Sequence, residues 1–201
     1  MPLYNVYRQM KAIPARRPWH KRLEPAKLGA LVAAVAALIV LGVVLMNRGD
    51  EAQSSATTGV RTEPFKADEA ALRTIAGSVG HPVYWAPAEK PVTYEITQTP
   101  DGRLYIRYLP ADTQLGDPRP NFLTVGTYPQ SDAFKTVQTG AKKAGAVSKE
   151  LPGGGLTVSQ KDRPTSVFFA YPESTVLVEV YDPTAGRAEV LVTSGSIRPI
   201  G

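Results

Sequence analysis

The sequence predicts an α+β domain: a mainly antiparallel sheet with two or three helices packed on one face, preceded by one transmembrane helix. Three observations carry this prediction. An apolar run extends unbroken from Leu28 to Met46, short alternating segments joined by tight turns follow Glu63, and two further segments place apolar residues at helical spacing.

The apolar run, LGALVAAVAALIVLGVVLM, holds nineteen residues without a charge, an amide or a proline. As a helix it reaches roughly 28 Å, close to the hydrocarbon thickness of a bilayer. A cleaved signal peptide has a shorter apolar core with a small-residue site close behind it, whereas here Asn47, Arg48, Gly49, Asp50 and Glu51 follow. Membrane lipid around Leu28 to Met46 is therefore the first expected partner. Gly29 and Ala33 form a small-xxx-small pair of the kind that lets two such helices approach.

The flanks set the expected orientation. Residues 1–27 carry seven Lys or Arg against the single acid Glu24, while the remainder holds sixteen basic and seventeen acidic residues. Basic flanks stay in the cytoplasm, so residues 1–27 read as a cytoplasmic tail and the rest beyond the span as extracytoplasmic, in a cell-membrane protein with one pass. The sequence pI of about 9.4 thus reflects that tail and gives no reason to expect a nucleic-acid partner. Residues 47–62 are polar and rich in Ser, Thr, Gly and Ala, a flexible linker to a domain over 63–201.

Within the domain, Asp68 caps a short helix through Leu72 and Ile75 that stops near Gly77 to Gly80. Pro82 to Trp85 reads as a short strand. Next comes VTYEITQT-PDG-RLYIRYL, where a three-residue Pro100-Asp101-Gly102 loop with Gly102 at the left-handed bulge pairs Thr99 with Arg103. That register sets Ile96 against Ile106 and Tyr94 against Tyr108 on one face, with Glu95 against Arg107 and Thr97 against Tyr105 on the other. Pro110 to Pro120 has no periodicity and reads as a loop. Phe122 to Tyr128 is a strand, and Ser131 caps a helix through Phe134, Val137, Ala141 and Ala144. Val147 to Leu151 and Leu156 to Gln160 form a hairpin across a Pro-Gly-Gly-Gly turn. Thr165 to Tyr171 and Val176 to Tyr181 form another, with Val167, Phe169 and Tyr171 opposite Val180, Val178 and Val176. Asp182 and Pro183 then start a helix that Gly195 ends, although its Val-Leu-Val run also suits a strand.

The supply of chemical groups is thin. The absence of cysteine excludes thiol catalysis, Zn-thiolate sites and lipid attachment through a thiol. His81 is the one histidine outside the tail, and no G-x-S-x-G or H-E-x-x-H accompanies it, so neither a catalytic set nor a metal site is expected. Asp112 and Asp117 lack the alternating acids of a calcium loop, and no cofactor is implied. Aromatic residues are the stronger signal, because a sheet face with exposed rings can hold a glycan or a peptide. Alternation puts Tyr94, Tyr108 and Phe169 in the core and leaves Tyr105 and Trp85, with His81, as candidate ligand-binding residues.

The strings PVYW, DGRLYIRYLP, FLTVGTYP and VEVYDPTAGRAEVLVTSGSIRPI resemble those of actinobacterial-type envelope proteins with one N-terminal span and a small exported α+β domain. The resemblance implies that architecture and no activity. The expected function is a non-catalytic, membrane-anchored extracytoplasmic binding or interaction module of a bacterial cell envelope, whose partner is an envelope protein, a peptide or a glycan. The alternatives are an accessory subunit that contacts a membrane complex through its span, and an envelope hydrolase using His81.

Overall fold

The computed structural model describes residues 62–88 and 92–200. The tail, the apolar run Leu28 to Met46 and most of the linker lie outside these residues, and so do the expectations placed on them. No helix among the described residues is long and apolar enough to cross a membrane.

The chain forms, in order, β1 (Phe65–Ala67), α1 (Glu69–Ser78), β2 (Tyr84–Trp85), β3 (Thr93–Gln98), β4 (Leu104–Leu109), β5 (Thr124–Pro129), α2 (Ala133–Ala141), β6 (Ala146–Glu150), β7 (Leu156–Gln160), β8 (Arg163–Ala170), β9 (Val176–Tyr181), α3 (Arg187–Thr193) and β10 (Arg198–Pro199). Eight strands make one sheet in the order β1-β3-β4-β5-β9-β8-β7-β6, and β2 pairs with β10 in a separate ribbon. Every pairing is antiparallel. This is an α+β fold: the meander β3-β4-β5 and the meander β6-β7-β8-β9 are joined where β5 lies against β9.

Turn chemistry fixes the first hairpin. Gly102 sits at φ 80°, its N–H donates to the Thr99 carbonyl at 3.0 Å, and the Thr99 N–H donates to the Arg103 carbonyl at 2.9 Å. The register is the one the turn predicts, with Ile96 opposite Ile106 and Glu95 opposite Arg107. In the β8–β9 hairpin Val167 faces Val180 and Phe169 faces Val178. β1 and β10, two or three residues each, were not foreseen; such short strands are defined by their partners more than by their own pattern.

Helix starts follow local hydrogen bonding. The Asp68 carboxylate accepts from the Ala71 N–H at 2.8 Å and starts α1 as expected. α2 begins after Asp132 in place of Ser131, and Asp132 offers no side-chain cap. Asp182 does not start α3. Its carboxylate accepts from the Thr184 N–H at 2.8 Å in a local turn, and the helix waits for the left-handed Gly186 at φ 79°. Gly195 follows the helix end at φ 75°.

The expectation that all helices share one face is corrected. Register places Tyr94, Ile96, Ile106, Tyr108, Val125, Val167, Phe169, Val178 and Val180 on an inner face, and these form one cluster with Leu72 of α1, Ala188 and Val192 of α3, and Tyr84 and Trp85 of the ribbon. α2 lies on the opposite, outer face, where Ala133 and Val137 pack against Tyr128, Val158, Ala170 and Leu177. The physical reason is that β8 and β9 are apolar on both sides: Phe168, Ala170 and Leu177 make a second apolar surface that one layer of helices cannot cover. The Lys149–Glu189 ion pair ties α3 to β6.

Phe169, 1% exposed and edge-on to Tyr84 at 5.4 Å, sits near the centre of the inner cluster. Phe169→Ala is expected to cost about 3–5 kcal/mol in urea unfolding. Val190→Ala, on the solvent side of α3 at 63% exposure, is expected to change stability by about 0.5 kcal/mol or less.

Candidate functional site

The outer face is divided. Over β7, β8 and β9 it is apolar and carries α2, whose cluster reaches as far as Tyr128 of β5 and the edge of Tyr105; over β3 and the rest of β4 and β5 it is polar. The irregular segment 110–121 takes the helix's place along one row of that polar half. In that row Glu95, Arg107, Thr124 and Tyr181 stand opposite one another across four strands.

Glu95, 1% exposed, accepts from the Arg107 guanidinium and, through Oε2, from the Gly116 N–H at 2.6 Å. The second guanidinium nitrogen donates to the Asp117 carbonyl at 2.6 Å and the Arg119 carbonyl at 3.3 Å, and the guanidinium lies 5.1 Å from the centre of the Phe122 ring. The Tyr181 hydroxyl donates to the Pro120 carbonyl at 2.7 Å. Inside the segment, the Arg119 guanidinium and backbone N–H both donate to Asp117, which holds that carboxyl down at about 2. The segment's backbone therefore finds its partners in side chains of the sheet, and a stretch without periodicity becomes a fixed cover.

The next row holds Thr97, Tyr105, Gly126, Glu179 and Phe168. Glu179 is buried, its carboxylate accepts from the Tyr128 hydroxyl at 2.6 Å, and Ser166 acts on it from the neighbouring strand. Tyr128 reaches it because Gly126 has no side chain: a Cβ there would stand 2.8 Å from the Tyr128 hydroxyl oxygen. The Tyr105 ring meets Tyr128 edge-on at 5.6 Å, and Arg103 and Tyr128 are the groups that act on its hydroxyl. Arg103 in turn pairs with Asp101 at 2.8 Å. Polar groups thus follow one another from the turn at Asp101 to Glu179, joined at its two ends by the Arg103–Asp101 ion pair and the Tyr128–Glu179 hydrogen bond. Burial is the main influence pushing the Glu179 carboxyl up, and it pushes the Tyr105 and Tyr128 hydroxyls up as well.

Of the three residues singled out in the sequence, only Tyr105 lies on this surface, half-buried, with its ring supported from beneath. The expectation of an exposed Trp85 is corrected. It is 2% exposed on the inner face, 6.0 Å from Tyr94 on one side and covered by the Arg73 guanidinium at 5.3 Å. Ribbon pairing with β10 holds it there. His81 faces carbonyl oxygens with both ring nitrogens, Pro82 at 3.0 Å and Gly102 at 2.8 Å, and so joins the start of β2 to the β3–β4 turn. Among the described residues no group of three or more His, Asp or Glu is arranged to hold a metal ion. Sequence pattern marks Tyr128 only as a sheet aromatic and does not single out Glu179 or Ser166. The available signal was VLVEVY itself, a strand whose outer positions Leu177 and Tyr181 flank the acid with large apolar side chains.

No family model, curated protein or solved structure matches the chain.

Two outcomes follow from this geometry. Because burial favours the protonated form of Glu179, the stability this group contributes is present below the ordinary carboxyl range and is lost as pH rises through its raised value. Glu179→Gln is expected to melt higher than the parent at pH about 7.5, with the gap closing towards pH about 4. Arg107→Ala leaves Glu95 buried without its cation and is expected to cost about 3–5 kcal/mol. The same variant is expected to open segment 110–121 to limited proteolysis, whereas replacing Glu95 and Arg107 together by apolar residues costs less.

Proposed function

We propose that the protein is a membrane-anchored extracytoplasmic binding or interaction module of a bacterial cell envelope, and that it works without catalysis. The observation that carries this reading is the part of the outer face at the border of the α2 cluster. Tyr105 is held half-buried there by Tyr128 and Arg103, beside Thr97 and bordered by segment 110–121. A ring fixed in place and ringed by hydroxyls is suited to stacking on a sugar or an extended peptide, because little conformational freedom is lost on contact. The polar groups beneath it are buried and hold geometry, since Glu179, Tyr128 and Ser166 are each shut away from solvent. Anchorage rests on the apolar run Leu28 to Met46 and on the charge imbalance across it.

The test uses the full chain in detergent against glycan and peptide arrays. Tyr105→Ala is expected to lower capture about tenfold, the loss of one stacked contact. Replacement of Leu28 to Met46 by an unrelated apolar span is expected to leave capture unchanged. Loss of partner contact on that replacement alone favours the accessory-subunit reading, in which Gly29 and Ala33 carry a helix contact. Protease added to intact cells is expected to digest the domain.

A further inference from the structure

At one corner of the sheet two tight turns abut. The turn that ends α2 offers the Gly145 carbonyl to the Lys161 N–H at 3.0 Å, which brings it against the β7–β8 turn. The first turn carries Lys142 and Lys143, and the second carries Lys161 and Arg163, with Gln160 opposite Arg163. All four cations are exposed, and none makes an ion pair among the described residues. The one acid in either turn is Asp162, itself exposed. Nearby acids on the other layer are engaged: Glu189 by Lys149 and Asp182 by Arg187. A domain whose charges nearly balance thus concentrates four positive charges against one negative at a single place.

Two features narrow the partner. Three of the four cations are lysines, point charges without the planar fork that reads one carboxylate in a fixed pose, and no large exposed apolar residue lies in either turn to enter a bilayer. The corner also lies at the end of the strands opposite to that where Phe65 leads into the sheet, so a tether reaching β1 arrives at the far end. Both features favour a flexible polyanion beyond the membrane over the lipid surface in which the chain is anchored. We propose that Lys142, Lys143, Lys161 and Arg163 form a docking corner for a linear phosphodiester polymer of the envelope. The location of that polymer rests on the anchored reading above, while the charge chemistry stands without it.

The experiment uses the full chain in nanodiscs of zwitterionic lipid, with labelled poly(glycerol phosphate) as probe and dextran as the uncharged control. Four neutralised phosphates give a slope of about −3 for log affinity against log salt, a loss of roughly fifty-fold between about 50 and 200 mM. Lys142→Gln with Lys143→Gln is expected to halve that slope, and substitution of all four cations to abolish binding, with circular dichroism unchanged. Lys66→Gln with Arg198→Gln, exposed cations on other elements, is expected to change nothing. The proposal is overturned if the parent fails to bind the polymer at low salt, if the fourfold variant binds equally, or if phosphatidylglycerol vesicles are bound in preference to the polymer. Protease digestion of intact cells reports on anchorage independently, so failure of either claim is seen without the other.

Discussion

Everything in this domain depends on the antiparallel seam between β5 and β9. Six residue pairs, from Thr124 with Tyr181 to Pro129 with Val176, join two meanders that have no other strand pairing between them. Val176 to Val180 are all buried, so β9 is enclosed on both faces, and the inner and outer cores share this strand as a common wall. The seam also joins residues distant in sequence, and its closure costs loop entropy that local turns do not. The ribbon reinforces it from the inner side, where the Tyr84 N–H donates to Thr127 at 3.1 Å and the Ala86 N–H donates to the Tyr108 hydroxyl at 2.7 Å.

The two halves of the outer face meet the same requirement by different means. Over β7 to β9 apolar area is removed from water by α2, which satisfies its own backbone. Over β3 and β4 the sheet is polar, so its cover must be hydrogen-bonded to it, and Glu95 and Arg107 supply those bonds to segment 110–121. A buried ion pair adds little net stability compared with an apolar pair of the same shape, but it is directional, and here it selects one path for an irregular chain. Every buried side-chain polar atom among the described residues has a partner, which accounts for three acids, Glu95, Glu179 and Asp182, persisting inside a small domain.

What could be read from the sequence was whatever local chemistry decides. Pro100-Asp101-Gly102 dictated a turn, the turn dictated register, and register placed Glu95 opposite Arg107 before any fold was known. The side of the sheet on which α2 packs was not readable in this way. Phe168, Phe169 and Ala170 are consecutive apolar residues, and period-two alternation cannot describe a strand with a core on each side. Glu179 was hidden by the same logic, since an acid in an alternating strand reads as solvent-facing until a second layer is known to lie over it. Trp85 is hidden for a related reason: a strand of two residues in a stretch bounded by Pro82 and Pro87 shows no face, and only pairing with β10, far downstream, turns the indole inward. Asp182 shows local competition instead, an acid able to cap either a turn or a helix and drawn to the nearer N–H.

The ribbon has a temporal side. β2 lies early in the domain, yet its partner is β10, and the Val83 carbonyl waits for the Ile200 N–H at 2.8 Å. A chain that folds as it is synthesised can assemble both meanders while Trp85 and Tyr84 still lack the strand that completes their cover. The inner layer is thus sealed by a strand far downstream of the residues it covers, so the whole of both meanders lies, in chain order, between the two halves of one small latch.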